Sequence, residues 1–152
     1  MENLIEKNKK NLEKIFKKEG VVLAYLFGSA AREKMGPLSD IDIAVLFTEK
    51  VKKDAYFEKE LHLGVEIEKL LRLERVDVVN LGSAESPLLK YNAVFGGKLI
   101  FCQDSKKKFE TEIKIMKEYE DTKYLRHTQY YFLHKRIKEG KFGKLPLLKY
   151  EF

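Results

Sequence analysis

Val21-Val22-Leu23-Ala24-Tyr25-Leu26-Phe27-Gly28-Ser29, followed after ten residues by Asp40-Ile41-Asp42-Ile43-Ala44-Val45-Leu46-Phe47, is the stretch on which the fold turns. The first seven residues form an apolar run rich in β-branched and aromatic side chains, bounded by glycines, and read as a strand. In the second run Ile41, Ile43, Val45 and Phe47 alternate with the two aspartates, the period of a strand with one polar face. Asp40 and Asp42 therefore share a face, with Cα atoms about 6.6 Å apart. The apolar side chains opposite them can pack on helices and keep the acidic face at a cleft. A Gly-Ser turn that exposes backbone N–H groups thus lies one short excursion from a carboxylate pair. That equipment suits a nucleoside triphosphate and its divalent cations.

Working outward, Leu4, Ile5, Asn8, Leu12, Ile15 and Phe16 recur at helical spacing, so residues 2–18 are predicted as an amphipathic helix ended by Gly20. Ser29 to Lys34 could open a short helix, and Gly36-Pro37 turns the chain before the aspartate strand. A second helix is expected over 54–73 and a strand over 75–81, Arg75-Val76-Asp77-Val78-Val79-Asn80-Leu81. Ser86-Pro87 marks a helix start, with Ser as cap and Pro in the first turn. That helix should end at Gly96-Gly97, ahead of a short strand over 98–102. Residues 105–139 contain neither Pro nor Gly, which predicts one long helix or a helical hairpin, followed by an apolar-rich tail. The expected architecture is α+β, a small mixed β-sheet flanked by helices. Residues 1–104 would form the main domain, and residues 105–152 a C-terminal helical extension of the same compact unit.

Bulk properties narrow the class. The 152 residues fit one domain with a real core. A net charge of +6 suits anionic partners, nucleotides included, yet the lysines alternate with glutamates at helical spacing and read mainly as solvated helix faces. No aromatic-and-basic RNA-recognition strand is present, which argues against a nucleic-acid partner. The single cysteine, Cys102, excludes an internal disulfide and a cysteine-built zinc site, and its apolar neighbours make it a strand residue. The N-terminus lacks a signal-peptide core and no run approaches membrane-spanning length, so a cytoplasmic protein is expected.

Asp77 repeats the device of the aspartate pair, a lone charge between Val76 and Val78 in an otherwise apolar strand. Such a residue is unfavourable unless something uses it, either a metal ion or an ion pair with Arg72 or Arg75. Three converging carboxylates repel one another by about 4 kcal/mol per pair at 4 Å and an effective dielectric near 20. Protons or divalent cations must neutralise them, and an all-oxygen set of this kind suits Mg²⁺ with substrate phosphates completing the shell. Two such ions could activate an attacking hydroxyl and stabilise departing pyrophosphate. Gly28 allows close backbone approach, and Ser29 adds a hydroxyl for the phosphates. Arg32 could reach phosphate, or pair with Glu33 or an acidic helix.

Gly28-Ser29-Ala30-Ala31-Arg32 through Ser39-Asp40-Ile41-Asp42, with Asp77 as third carboxylate, resembles the signature of the DNA polymerase β-type nucleotidyltransferase superfamily. The short length and the Gly-Ser-x-Ala-Arg form are most similar to the minimal nucleotidyltransferases, the MNT antitoxins of HEPN-domain ribonuclease toxins. The resemblance spans about residues 20–102, with a weaker echo at Ser86-Pro87-Leu88-Leu89-Lys90-Tyr91. It implies transfer of AMP from ATP to a tyrosine of a HEPN-domain toxin. By the same resemblance Gly28 and Ser29 would hold the triphosphate, Asp40 and Asp42 would ligate two Mg²⁺ ions, and Asp77 would complete the site and help deprotonate the acceptor. Nucleotidyl transfer to a small molecule such as an aminoglycoside, or a non-catalytic antitoxin acting by binding alone, are the alternative readings.

Overall fold

The computed structural model describes residues 2–31 and 40–144, so Arg32, the Gly36-Pro37 turn, Ser39 and the tail from 145 onward lie outside the described residues. Four strands form one sheet: β1 (Val21–Phe27), β2 (Ile41–Phe47), β3 (Val76–Asn80) and β4 (Lys98–Cys102), in the order β3-β2-β1-β4. β1 runs antiparallel to both β2 and β4, whereas β2 and β3 are parallel. A parallel pair needs a crossover long enough to return the chain to the same end. Helix α3 (Tyr56–Leu71), entered through a 3-10 turn at Lys53–Ala55, supplies it.

All seven residues of β1 are buried, because helices cover the sheet on both faces. On one face Leu12 and Phe16 of α2 (Lys9–Glu19) and Leu63, Ile67 and Leu71 of α3 pack against Ile41, Ile43 and Val45. The Phe16 ring stacks on Phe101 of β4 at 5.3 Å between centroids. On the other face Ala93 and Val94 of α4 (Pro87–Phe95) and Ile115 of α5 (Ser105–Asp121) cover Leu23, Tyr25, Phe27 and Ala44. Burying one such side chain stabilises the fold by about 1.5–3 kcal/mol, so these two layers dominate the energetics. The approach of α4 to β1 is close at Gly97, where a Cβ would lie 2.6 Å from the Leu26 carbonyl oxygen and nearer still to that of Ala93.

The predicted strands and the α4 boundaries are observed, and Ser86 Oγ accepts the Leu89 N–H at 3.2 Å as the expected cap. The helices differ in two places, for one physical reason. The N-terminal helix is interrupted at Asn8, giving α1 (Glu2–Lys7) and α2, and the Asn8 amide donates to the Leu4 carbonyl at 2.9 Å. The long C-terminal run breaks at Thr122 into α5 and α6 (Lys123–Lys138). There Thr122 Oγ1 donates to the Glu118 carbonyl at 2.8 Å, and Arg126 donates to the Tyr119 carbonyl at 2.8 Å. In both cases polar side chains compete with backbone N–H groups for helix carbonyls. Stacked Tyr91 and Tyr119 rings, 3.8 Å apart, and a Lys90–Glu118 ion pair tie α5 to α4. Among the described residues no helix is long and apolar enough to cross a membrane.

Candidate active site

The site is assembled where β1 ends and where β2 and β3 begin. β1 terminates at Phe27, and Gly28 turns the chain with φ +72, a left-handed conformation that favours glycine. A Cβ at Gly28 would stand 3.3 Å from Asp42 Cγ and closer still to Asp42 Oδ2, so the glycine makes room for that carboxylate. Phe27 is the antiparallel partner of Asp42, and Asp42 is the parallel partner of Asp77. The turn and two of the acidic residues therefore lie side by side across three neighbouring strands, each about 4.8 Å from the next. Two hydrogen bonds anchor the start of β3: Ile41 N donates to the Arg75 carbonyl at 3.4 Å, and Val76 N donates to Glu68 Oε1 of α3 at 3.0 Å.

Asp40, the residue before β2, is joined to this group by Arg75. The guanidinium donates from Nε to Asp77 Oδ1 at 3.2 Å and lies 3.9 Å from Asp40 Oδ2. The side chains of Asp40 and Asp77 remain 48% and 42% exposed, so both carboxylates reach solvent. Asp42 is set deeper. Burial first, then the charges of Asp77 and Asp40, push its carboxyl above the ordinary carboxylate range, while Arg75 pulls the other way. A carboxylate held against its own preference by two like charges is short of positive charge. The donor set, all carboxylate oxygens with an open side, fits hard divalent cations.

The structure thus brings Asp40, Asp42, Asp77 and Gly28 together, and Ser29 follows in the same turn, half-buried. Arg32 lies outside the described residues. The aspartates are arrayed around a guanidinium: among the described residues, the three ligand atoms lying within 4.8 Å of one another are those of Glu19, His62 and Glu66, not those of the aspartates. Lys59 meets Glu19 at 3.2 Å and Lys18 meets Glu66 at 2.8 Å, so that other cluster is an ion-pair network linking α2 to α3. Arg75 is the residue whose part in the site the sequence reading passed over, naming it only as an ion-pair alternative for Asp77. Its spacing carries the signal, because residues 75 and 77 share a strand face.

Arg75 and Asp77 also line a groove of about 300 Å³, together with Phe57, Leu61 and Val65 of α3 and Val78 of β3. The three α3 residues stand four apart and form an exposed apolar stripe, Phe57 at 72% and Leu61 at 57% exposure. A larger cavity of about 800 Å³ lies at the opposite end of the strands, between Val22, Thr48 and Gln103, and contains none of the three aspartates.

Comparison with known proteins agrees with this geometry. The family described as "Polymerase beta, Nucleotidyltransferase" matches residues 10–106. The structure is similar to a chain of a toxin–antitoxin crystallised with AMP-PNP, at 26% identity and a TM-score of 0.69, covering 84% of this chain and 98% of that one. It is similar to a chain of the toxin–antitoxin MntA-HepT, at 25% identity and a TM-score of 0.63 over 85% of this chain and 98% of that one. A chain in the complex of a tri-AMPylated HEPN toxin with MNT antitoxin, from Shewanella oneidensis, is 25% identical with a TM-score of 0.63, over 86% and 98% of the two chains. No curated protein matches in sequence. With the family match spanning well over half its length and the carboxylates gathered beside the Gly28 turn, the chain belongs to the polymerase beta nucleotidyltransferase family and is a nucleotidyltransferase.

Proposed function

We propose that this nucleotidyltransferase is a Mg²⁺-dependent protein adenylyltransferase that moves AMP from ATP onto a tyrosine of a HEPN-domain toxin and serves as its antitoxin. The observation that carries the reading is the register of Asp42 opposite Asp77, with Gly28 against the Asp42 carboxylate. The likeness to chains of toxin–antitoxin complexes, one with AMP-PNP and one with an AMPylated HEPN toxin, supports the donor and the acceptor.

Each described residue has a role suited to its position, and Arg32 takes its role from the sequence motif alone. Backbone N–H groups of the Gly28–Ser29 turn, with the Ser29 hydroxyl, bind and orient the β- and γ-phosphates, and Arg32 adds a cation for them. Asp40, Asp42 and Asp77 hold two Mg²⁺ ions, which supply positive charge for the triphosphate and its pyrophosphate leaving group. Asp77, between the carboxylate group and the groove, accepts the proton of the acceptor hydroxyl. The freed oxygen attacks the α-phosphorus, the bond to the β-phosphate bridging oxygen breaks, and pyrophosphate departs with that oxygen. Phe57, Leu61 and Val65 offer a dry shelf suited to an aromatic acceptor presented on a folded surface. The contacts of α5 with α4 support treating residues 1–104 and the C-terminal helices as one compact unit.

The test incubates the protein with α-labelled ATP, Mg²⁺ and the HEPN-domain protein encoded beside it. Label on the partner's tyrosine, lost on chelation and on Asp42→Ala, is the expected result. No label on the partner, or neutralisation that survives Asp40→Ala/Asp42→Ala, overturns the reading.

A further inference from the structure

Helix α6, Lys123–Lys138, buries none of its residues. Its apolar side chains do not gather on one side either. At 100° per residue Tyr130, Leu133 and Ile137 line one face, Leu125 and Phe132 lie about 120° round from it, and Tyr124 falls nearly opposite it. Tyr124 is 83% exposed, Leu125 57% and Phe132 55%. Apolar side chains thus stand on several sides of a largely polar helix with none of them buried, and sixteen residues are marginal as an isolated helix in water.

Charge is distributed just as unevenly. Residues 1–122 carry 22 Lys and Arg against 22 Asp and Glu and are neutral, while residues 123–144 carry seven cations against the single acid Glu139. The entire net charge of +6 therefore sits on α6 and the turn after it. Some of these cations are occupied: Arg126 lies 4.0 Å over the Tyr119 ring, Arg136 donates to the Lys141 carbonyl, and Lys141 pairs with Glu139 at 3.0 Å. Lys123, Lys138 and Lys144 have no acidic partner among the described residues, and Lys135 acts on Glu139 through its charge without an ion-pair contact.

We infer that α6 is a docking helix for an acidic, apolar-lined protein surface, and that this surface belongs to the protein that accepts the nucleotide. The inference rests on the function proposed above and adds a grip separate from the chemistry, since α6 lies beyond the family match at residues 10–106. Other occupants fit less well. A second copy would press one surface of +6 against another, a like-charge juxtaposition that opposes association. Nucleic acid would neutralise the lysines but leave Leu125, Leu133 and Ile137 in water. The eight residues 145–152 could extend about 27 Å, roughly the 24 Å of a sixteen-residue helix, and so cover one of its sides alone.

The test uses the full chain, its HEPN-domain partner as probe, and two variants, Lys135→Glu/Lys138→Glu and Leu125→Ser/Phe132→Ser. Circular dichroism checks the fold, calorimetry the partner affinity, and AMP-PNP titration the nucleotide site. Both variants are expected to bind the partner at least about tenfold more weakly, with AMP-PNP affinity unchanged, KM for the partner raised and kcat preserved. Added salt should weaken the wild-type complex and leave the charge-reversed one nearly unaffected. Wild-type binding with variants of equal affinity overturns the docking helix and leaves the adenylyltransferase reading intact. Wild-type chain that neither labels nor binds the partner overturns both. A single-stranded RNA 20-mer that outcompetes the partner, or a dimer that the variants dissolve, also overturns it.

Discussion

Gly28→Ala separates the two services that this glycine performs. Its φ of +72 places an alanine in the left-handed region, which costs about 1–2 kcal/mol. In a domain of this size that lowers the unfolding temperature by about 2–8 °C. The second effect is local: the new Cβ would stand 3.3 Å from Asp42 Cγ and inside contact distance of Oδ2, so the carboxylate must retreat by about 1 Å. A displacement of that size in a reacting constellation costs about 10²-fold in rate. Gly140→Ala is the matched control, because Gly140 has φ +66 but nothing within 4 Å of its added Cβ. Both variants should lose comparable stability in thermal unfolding, and Gly28→Ala alone should lose about 10²-fold in kcat/KM for transfer from labelled ATP. Unchanged kcat/KM in Gly28→Ala, or an equal loss in Gly140→Ala, would refute the argument that this turn is shaped around Asp42.

Three further outcomes follow from the same geometry. Asp42 has a folded-state pKa above its ordinary value, so ionising it disfavours the folded form; without divalent cation, stability should rise as pH falls from neutral through that raised pKa toward the ordinary carboxylate range, and Asp42→Asn should remove this increment, raise the metal-free unfolding temperature at pH 8 and abolish transfer, all read by thermal melts and the labelling assay. Arg75→Ala removes the cation lying between Asp40 and Asp77, so Mn²⁺ should bind about fivefold more tightly by calorimetry, the gain fading with salt. Gly97→Ala drives a Cβ to 2.6 Å from the Leu26 carbonyl oxygen and 3.1 Å from Phe27 Cβ, both parts of a buried strand, and should cost more than about 3 kcal/mol in urea unfolding.

Arg75 bears on how such a site is kept intact. Carboxylates on adjacent strands repel, and a fold that gathers them needs a counter-charge before substrate brings its metal ions. A guanidinium on the face of Asp77, bonded to Asp77 and close to Asp40, provides one without burying itself. Among the described residues Asp42 feels Arg75 through its charge alone, and burial with the neighbouring carboxylates leaves its pKa raised. Its burial is the consequence of sitting on a central strand, beneath the close approach of Gly28.

Legible in the chain alone were features written within a few residues of one another. The runs 21–27 and 41–47 declare strands through their apolar pattern, Gly28 declares a turn, and the period of two puts Asp40 and Asp42 on one side. Ser86-Pro87 likewise announces the α4 cap, because the accepting oxygen and the donating N–H are three residues apart. Tertiary structure alone decided which distant residues become neighbours. The parallel pairing of Asp42 with Asp77 spans the whole α3 crossover, and Arg75 meets Asp40 only because that register is chosen. The breaks at Asn8 and Thr122 and the uncovered state of α6 belong to the same category. Helical spacing reports that a side chain is apolar, but burial is settled by whether another surface arrives to exclude water, and for α6 no surface of the described fold does so.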